Sequence, residues 1–150
     1  MISQEPIFTV RCELANILDL GPAPFGHRRV VNILGGPVTG AKLNGRVLPG
    51  GADWQSVLPD GTIELSAHYS LEFADGARVE VTSIGLRAAP PEVMAALNRG
   101  ETVDPDSYYF RTHMRLRTGH AAYAHLNRQL YIGRGARAPA GVRIEVFRVV

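Results

Sequence analysis

The chain has 150 residues, of which 45% are hydrophobic and 20% charged, and a net charge of +2 at pH 7; this is the composition of one ordinary globular domain with enough chain to bury a core. No apolar run approaches the roughly 20 residues that span a bilayer, and residues 1–10 (MISQEPIFTV) lack the basic and apolar regions expected of a signal peptide. Cys12 is the only cysteine, which excludes an internal disulfide and a cysteine-based zinc site and fits a reducing cytoplasm.

In chain order, residues 7–15 alternate, with Phe8, Val10, Cys12 and Leu14 on one side, and predict a strand. Residues 16–27 (NILDLGPAPFGH), rich in glycine and proline, predict a loop. Strands follow at 28–36 and 41–48, with a short one at 53–58 that turns at 59–61 (PDG). Residues 62–73 (TIELSAHYSLEF) give the clearest signal: Ile63, Leu65, Ala67, Tyr69, Leu71 and Phe73 share one face, and polar residues the other. The hairpin signal ADGA at 74–77 joins them to a partner strand at 78–86, because Asp-Gly readily supplies the positive φ of tight hairpins. One helix is expected at 90–100, with Pro91 in its first turn, Glu92 at its positive end and Gly100 as its stop. Its stripe of Val93, Met94 and Leu97 suits a helix laid over a barrel mouth or edge. Strands are expected again at 108–119, 128–135 and 142–150, with a turn of helix at 120–127.

Short strands at such regular spacing mean a sandwich or a barrel. We expect an all-β domain spanning 1–150: a closed, mostly antiparallel β-barrel of about eight to ten strands with one or two short helices, since closure removes exposed edges. Charge is uneven along it. Residues 1–106 carry 8 basic and 13 acidic side chains, net −5, whereas 107–150 carry 8 arginines and only Glu145, net +7. No basic cluster is contiguous, so we expect the late arginines to pair with acids of earlier strands and to form no nucleic-acid surface.

Four blocks, 33–55 (ILGGPVTGAKLNGRVLPGGADWQ), 60–81 (DGTIELSAHYSLEFADGARVEV), 108–112 (YYFRT) and 124–135 (AHLNRQLYIGRG), resemble domain-of-unknown-function family 3237, small β-barrel proteins of bacteria and fungi. The resemblance covers nearly the whole chain, and GGADW is its most specific part. It implies a β-barrel with an internal cavity but neither an established general activity nor agreed catalytic residues. A looser similarity, at the level of the fold alone, runs to barrels of the allene oxide cyclase and dirigent type, which steer reactive apolar molecules through cyclisation or coupling.

Candidate site residues therefore rest on their chemistry. In PGGADW the glycines permit a sharp turn that starts a strand at the barrel rim. There Asp53 would supply a base and Trp54 an apolar wall; alternatively Asp53 ties off a turn and Trp54 is core. Tyr69 lies on the apolar face of the best strand, where its hydroxyl needs a partner: a ligand, a carboxylate or a backbone carbonyl. Along 108–117, Tyr109, Arg111, His113, Arg115 and Arg117 share one face, and alternation points it outward. A bulge or polar mouth would instead bring Tyr109 and Arg111 inside, where Arg111 would clamp an oxyanion. Asn127 offers an amide to a ligand or caps a turn. The histidines have no metal-ligand spacing, and no nucleotide loop or Gly-x-Ser-x-Gly elbow occurs.

These readings combine into a cytoplasmic barrel that binds a small apolar or aromatic molecule and acts on it without cofactor or metal, as a lyase, isomerase or cyclase. Asp53, Tyr69 and Arg111 would be catalytic, and Trp54, Tyr109 and Asn127 would bind substrate. The alternatives are a non-catalytic ligand-binding barrel and an interaction protein using an arginine-rich face. Neither nucleic acid nor membrane is expected as a partner; a homodimer or other homo-oligomer is.

Overall fold

In the computed structural model, which describes residues 1–150, every long alternating stretch is a strand. The ten strands are β1 (Phe8–Leu14), β2 (Leu18–Ala23), β3 (Gly26–Thr39), β4 (Gly45–Val47), β5 (Ala52–Val57), β6 (Ile63–Phe73), β7 (Arg78–Ala88), β8 (Tyr109–Arg117), β9 (Tyr131–Ala138) and β10 (Gly141–Arg148). One α-helix, α1 (Pro91–Asn98), lies between β7 and β8, and short 3-10 segments occupy 105–107 and 121–128. All pairings are antiparallel, and β1 closes the circle by pairing with β10 on one side and β3 on the other. The ring runs β1–β10–β9–β8–β7–β6 and returns to β3 through β4 and β5, which occupy one position in series between β6 and β3. The barrel thus has eight staves, and β2 lies outside the ring as the partner of the first half of β3.

Two expectations change. Residues 16–27 form no loop: β2 and the start of β3 make a hairpin there. Gly21, at φ 88°, absorbs a register shift that a side chain would resist. The Asp19 carboxylate accepts from the Gly21 amide at 2.7 Å and meets His27 across the pair at 2.5 Å. The strand expected at 41–48 shrinks to Gly45–Val47, because the chain must leave β3, turn and leave room for β5 beside it.

Alternation sets the core. On β6, Ile63, Leu65, Tyr69, Leu71 and Phe73 are buried, while Glu64, Ser66, His68 and Ser70 are exposed. Together with Phe8, Val10, Val81, Leu116 and Val146 they belong to one cluster of 24 buried residues, which Met94 and Leu97 of α1 join. The end of the barrel at the β6–β7 turn is capped by the 121–128 segment: Tyr123 packs on Phe73 with ring centroids 5.0 Å apart, and its hydroxyl donates to Asp75 at 2.5 Å. No helix is long and apolar enough to cross a membrane.

Candidate functional site

Toward the opposite end the inward faces change character. On β7 the face that begins with Val79 and Val81 continues with Ser83, Gly85 and Arg87, while Ile84 and Leu86 point outward and are exposed. On β5, Asp53 and Gln55 point inward, and Trp54 lies on the outer surface, 46% exposed. The result is an internal cavity of about 270 Å³. Cys12, Leu14, Val31, Ile33, Phe110 and Ile144 form much of its apolar wall, and Asp53, Gln55, Tyr69, Ser83, Arg87 and Thr112 its polar part.

The glycine pair before β5 positions this group. A Cβ on Gly51 would collide with the Cβ of Tyr69 and the carbonyl of His68, so only glycine lets the chain lie this close on β6. The Gly51 carbonyl accepts from the Ile33 amide at 2.9 Å, which fixes the start of β5 between β3 and β6. Asp53 then pairs with Ala67, two residues from Tyr69 along the same inward face.

The Asp53 carboxylate accepts from Gln55 Nε2 at 2.7 Å and from the Ser66 amide at 3.1 Å. Arg29 Nε donates in turn to Gln55 Oε1 at 2.6 Å, so a chain of polarised bonds runs from Arg29 through Gln55 to Asp53. Burial nevertheless dominates: it raises the Asp53 pKa against the lowering by these bonds and by the charges of Arg87 and Arg29. Burial also raises the Cys12 thiol to about 12, with the Asp53 charge adding to it. It lifts Tyr69 well above its ordinary value, helped by Cys12 and Asp53, and no hydrogen bond offsets this. At neutral pH Cys12 and Tyr69 therefore hold their protons, and Asp53 is the one carboxyl group on the cavity wall.

The six residues singled out from the sequence divide into three places. Asp53 and Tyr69 meet at the cavity. Trp54, Tyr109 and Arg111 lie together in a shallow depression on the outer wall, beside Ile84 and Leu86. Arg111 donates to the Phe110 carbonyl at 3.0 Å, and its guanidinium sits 5.6 Å from the Tyr109 ring centroid. No bulge is needed to explain this, since strict alternation along β8 buries Phe110, Thr112, Met114 and Leu116 and turns the arginine face outward. Asn127 is apart from both: its side chain accepts from the Thr118 amide at 2.8 Å and donates to the Thr118 carbonyl at 2.9 Å, fastening the 121–128 cap to the end of β8.

Gln55, Arg87 and Thr112 are absent from the residues selected by sequence. Their signal was the alternation itself: neighbours on a strand face opposite ways. Asp53 therefore shares a face with Gln55 and not with Trp54, and an apolar face that becomes polar toward its end marks a lumen. The late arginines also differ from expectation. Arg134 and Arg143 converge on Glu145, at 2.8 and 3.5 Å, and no acid of an earlier strand is their partner. Arg134 and Glu145 are register partners on β9 and β10, which puts them within reach of each other. No group of three or more His, Cys, Asp or Glu side chains gathers to hold a metal ion.

Comparison with known proteins gives a consistent picture. The family described as "Protein of unknown function (DUF3237)" matches residues 2–149. A UPF0311 protein of Rhodopseudomonas palustris is 42% identical over 144 residues, covering 96% of this chain and 94% of the relative. A crystal structure of a conserved protein of unknown function from that organism superposes with a TM-score of 0.92 at 41% identity, over 100% of this chain and 98% of that one. A β-barrel-like protein of Acinetobacter baumannii superposes at 0.85 with 33% identity, over 99% and 96% of the two chains. A protein described as an enzyme, from Penicillium herquei, shares the fold at a TM-score of 0.74 and 20% identity, over 99% and 95%.

Proposed function

This chain belongs to the DUF3237 family, and from that premise we propose that it is a barrel that binds a small, largely apolar or aromatic molecule and acts on it by cofactor-independent acid–base chemistry, as a lyase, isomerase or cyclase. The observation that carries the reading is the Asp53 carboxylate, which faces a mostly apolar cavity with its pKa raised by burial. A carboxylate poised closer to neutrality is the form a general base takes in a site that excludes water. Asp53 is the proposed base, held in place by Gln55 and Ser66. Tyr69, protonated and without a competing hydrogen bond, is the proposed donor to an oxyanion formed when Asp53 removes a proton. Trp54, Tyr109 and Arg111 lie on the outer wall, so the oxyanion role falls to Tyr69. The Penicillium herquei protein supports the reading only at the level of the fold.

The same outer wall, with Trp54, Ile84, Leu86 and Tyr109 exposed, is the surface we propose for self-association, as a second copy would cover it.

The test is a turnover screen on small ketones, enones and phenolic substrates with wild-type protein and the Asp53→Asn and Tyr69→Phe variants. Asp53→Asn should abolish turnover and Tyr69→Phe should lower kcat, with both variants folded. Binding without turnover in the wild type would make the protein a carrier barrel, and activity retained by Asp53→Asn would remove Asp53 as the base.

A further inference from the structure

Two buried polar groups at the cavity have no partner in the chain. Arg87 is 5% exposed, its Nε makes no hydrogen bond, and none of the ion pairs includes it. Its guanidinium carbon lies 6.0 Å from the Phe110 ring centroid. Thr112 is also 5% exposed, and its Oγ1 is likewise unpaired. Both line the cavity from adjacent strands: Arg87 pairs with Phe110, and Thr112 lies two residues farther along the same inward face. Buried guanidinium groups are almost always paired, because an unpaired buried charge is among the most costly features a fold can carry.

Charge is unbalanced in the same sense. Burial, with the charges of Arg137 and Arg29 adding to it, lowers the pKa of Arg87 to about 10, and Tyr108 and Asp53 oppose them. Against these three cations the cavity wall has one carboxylate, Asp53, whose oxygens already accept from Gln55 and Ser66. Opposite Arg87 the wall is apolar, formed by Cys12, Leu14, Ile33 and Ile144.

We propose that the cavity takes a small amphipathic carboxylate, its two oxygens held by the Arg87 guanidinium and by the Thr112 hydroxyl, which turns from its buried place against Gly133 into the lumen, and its apolar body laid against Cys12, Ile33 and Ile144. The planar fork of arginine matches a carboxylate with two parallel bonds, and the threonine hydroxyl adds a third donor. Arg137, exposed and also lining the cavity, adds positive charge that draws the anion in. No residue of α1 lines the cavity, so phosphate would lack the helix N-terminus that commonly receives it. A volume of about 270 Å³ lies just below the usual range of roughly 300–1,000 Å³ for ligand pockets, which restricts the guest to a small acid. The inference rests on the cavity being the ligand site. It adds the class of molecule and gives Arg87 and Thr112 a binding role distinct from the acid–base role of Asp53.

The experiment uses phenylacetate, its neutral isostere phenylacetamide, and inorganic phosphate as probes, with calorimetry and amide chemical shifts as readouts. Wild-type protein should bind phenylacetate at least about tenfold more tightly than phenylacetamide, a difference typical of one charge-assisted bidentate contact. Arg87→Met should bring the two affinities within about threefold of each other. Thr112→Val, nearly isosteric, should weaken phenylacetate several-fold and leave phenylacetamide almost unchanged. Arg87→Lys, which keeps the charge but loses the fork, should fall between wild type and Arg87→Met. Melting curves check that each variant is folded, and Thr112→Val carries the test if the arginine variants are not. Equal binding of acid and amide, both shifting cavity amides, would overturn the anion assignment and leave the cavity as the ligand site. Phosphate displacing phenylacetate with equal affinity would overturn the choice of carboxylate. Absence of shifts at cavity residues with any probe would overturn both this inference and the reading it rests on.

Discussion

The pH dependence of stability of Asp53→Asn tests the electrostatics of the cavity directly. In the folded chain burial raises the Asp53 carboxyl above its ordinary 3.8, so the folded state binds this proton more tightly than the unfolded state. Asp53 therefore favours folding most at low pH, and its contribution is lost as pH rises from about 3.8 through the raised value. Within that window the loss from one group is at most about 1.4 kcal/mol per pH unit, and above it the loss levels off. Asparagine has no such loss but introduces a constant one. Its Oδ1 must accept from the Ser66 amide, which turns its NH2 toward the Gln55 Nε2 donor. Gln55 cannot flip to help, because its Oε1 is held by Arg29 at 2.6 Å. An unsatisfied contact of this kind costs about 1–3 kcal/mol at every pH. The variant should thus be less stable than wild type near pH 4, and the gap should close or reverse as pH rises toward 8. Urea titrations of both proteins at unit pH intervals, with equal m-values, measure the gap. A gap that stays constant or widens with pH would refute the claim that burial dominates at Asp53.

Further outcomes follow from packing. Leu65→Ala removes a buried side chain shared by core and cavity wall, and should cost about 2–5 kcal/mol in urea melts; a loss below about 0.5 kcal/mol would mean that the inward face of β6 is misassigned. Gly51→Val should be more damaging than Gly50→Val: at Gly51 a Cβ meets the Tyr69 side chain and the β6 backbone, whereas at Gly50 it meets nothing and the cost is the backbone strain of a φ of 108°; comparing expression and melting temperature of the pair checks this. Leu86→Glu on the outer wall should leave the melting temperature of the barrel nearly unchanged and shift sedimentation at micromolar concentration from oligomer to monomer; wild type sedimenting as a monomer would remove the self-association proposal.

Much of this protein is local and therefore legible in one dimension. Period-two alternation determined β1, β6, β7 and β8 as strands and the apolar, inward faces of β1 and β6, because a strand has no other way to separate core from solvent. ADGA determined the β6–β7 hairpin. The Gly-Gly-Ala-Asp block marked the place where β5 begins, and Asp53 with Tyr69 was legible as a candidate pair. The hairpin of β2 was not legible, since glycine and proline signal both a loop and a bulged strand, and only pairing with β3 distinguishes them. Which acid neutralises Arg134 and Arg143 depended on the register of β9 against β10. Above all, alternation states that Arg111 and Arg87 are each on one face of a strand, but not which face looks into a cavity. Ring closure decided that: it turned the polar end of the β7 face into a lumen, left Arg87 and Thr112 buried without partners, and set Trp54, Ile84 and Leu86 outside. Closure is a sum of pairings between residues distant in sequence, and no single segment carries it.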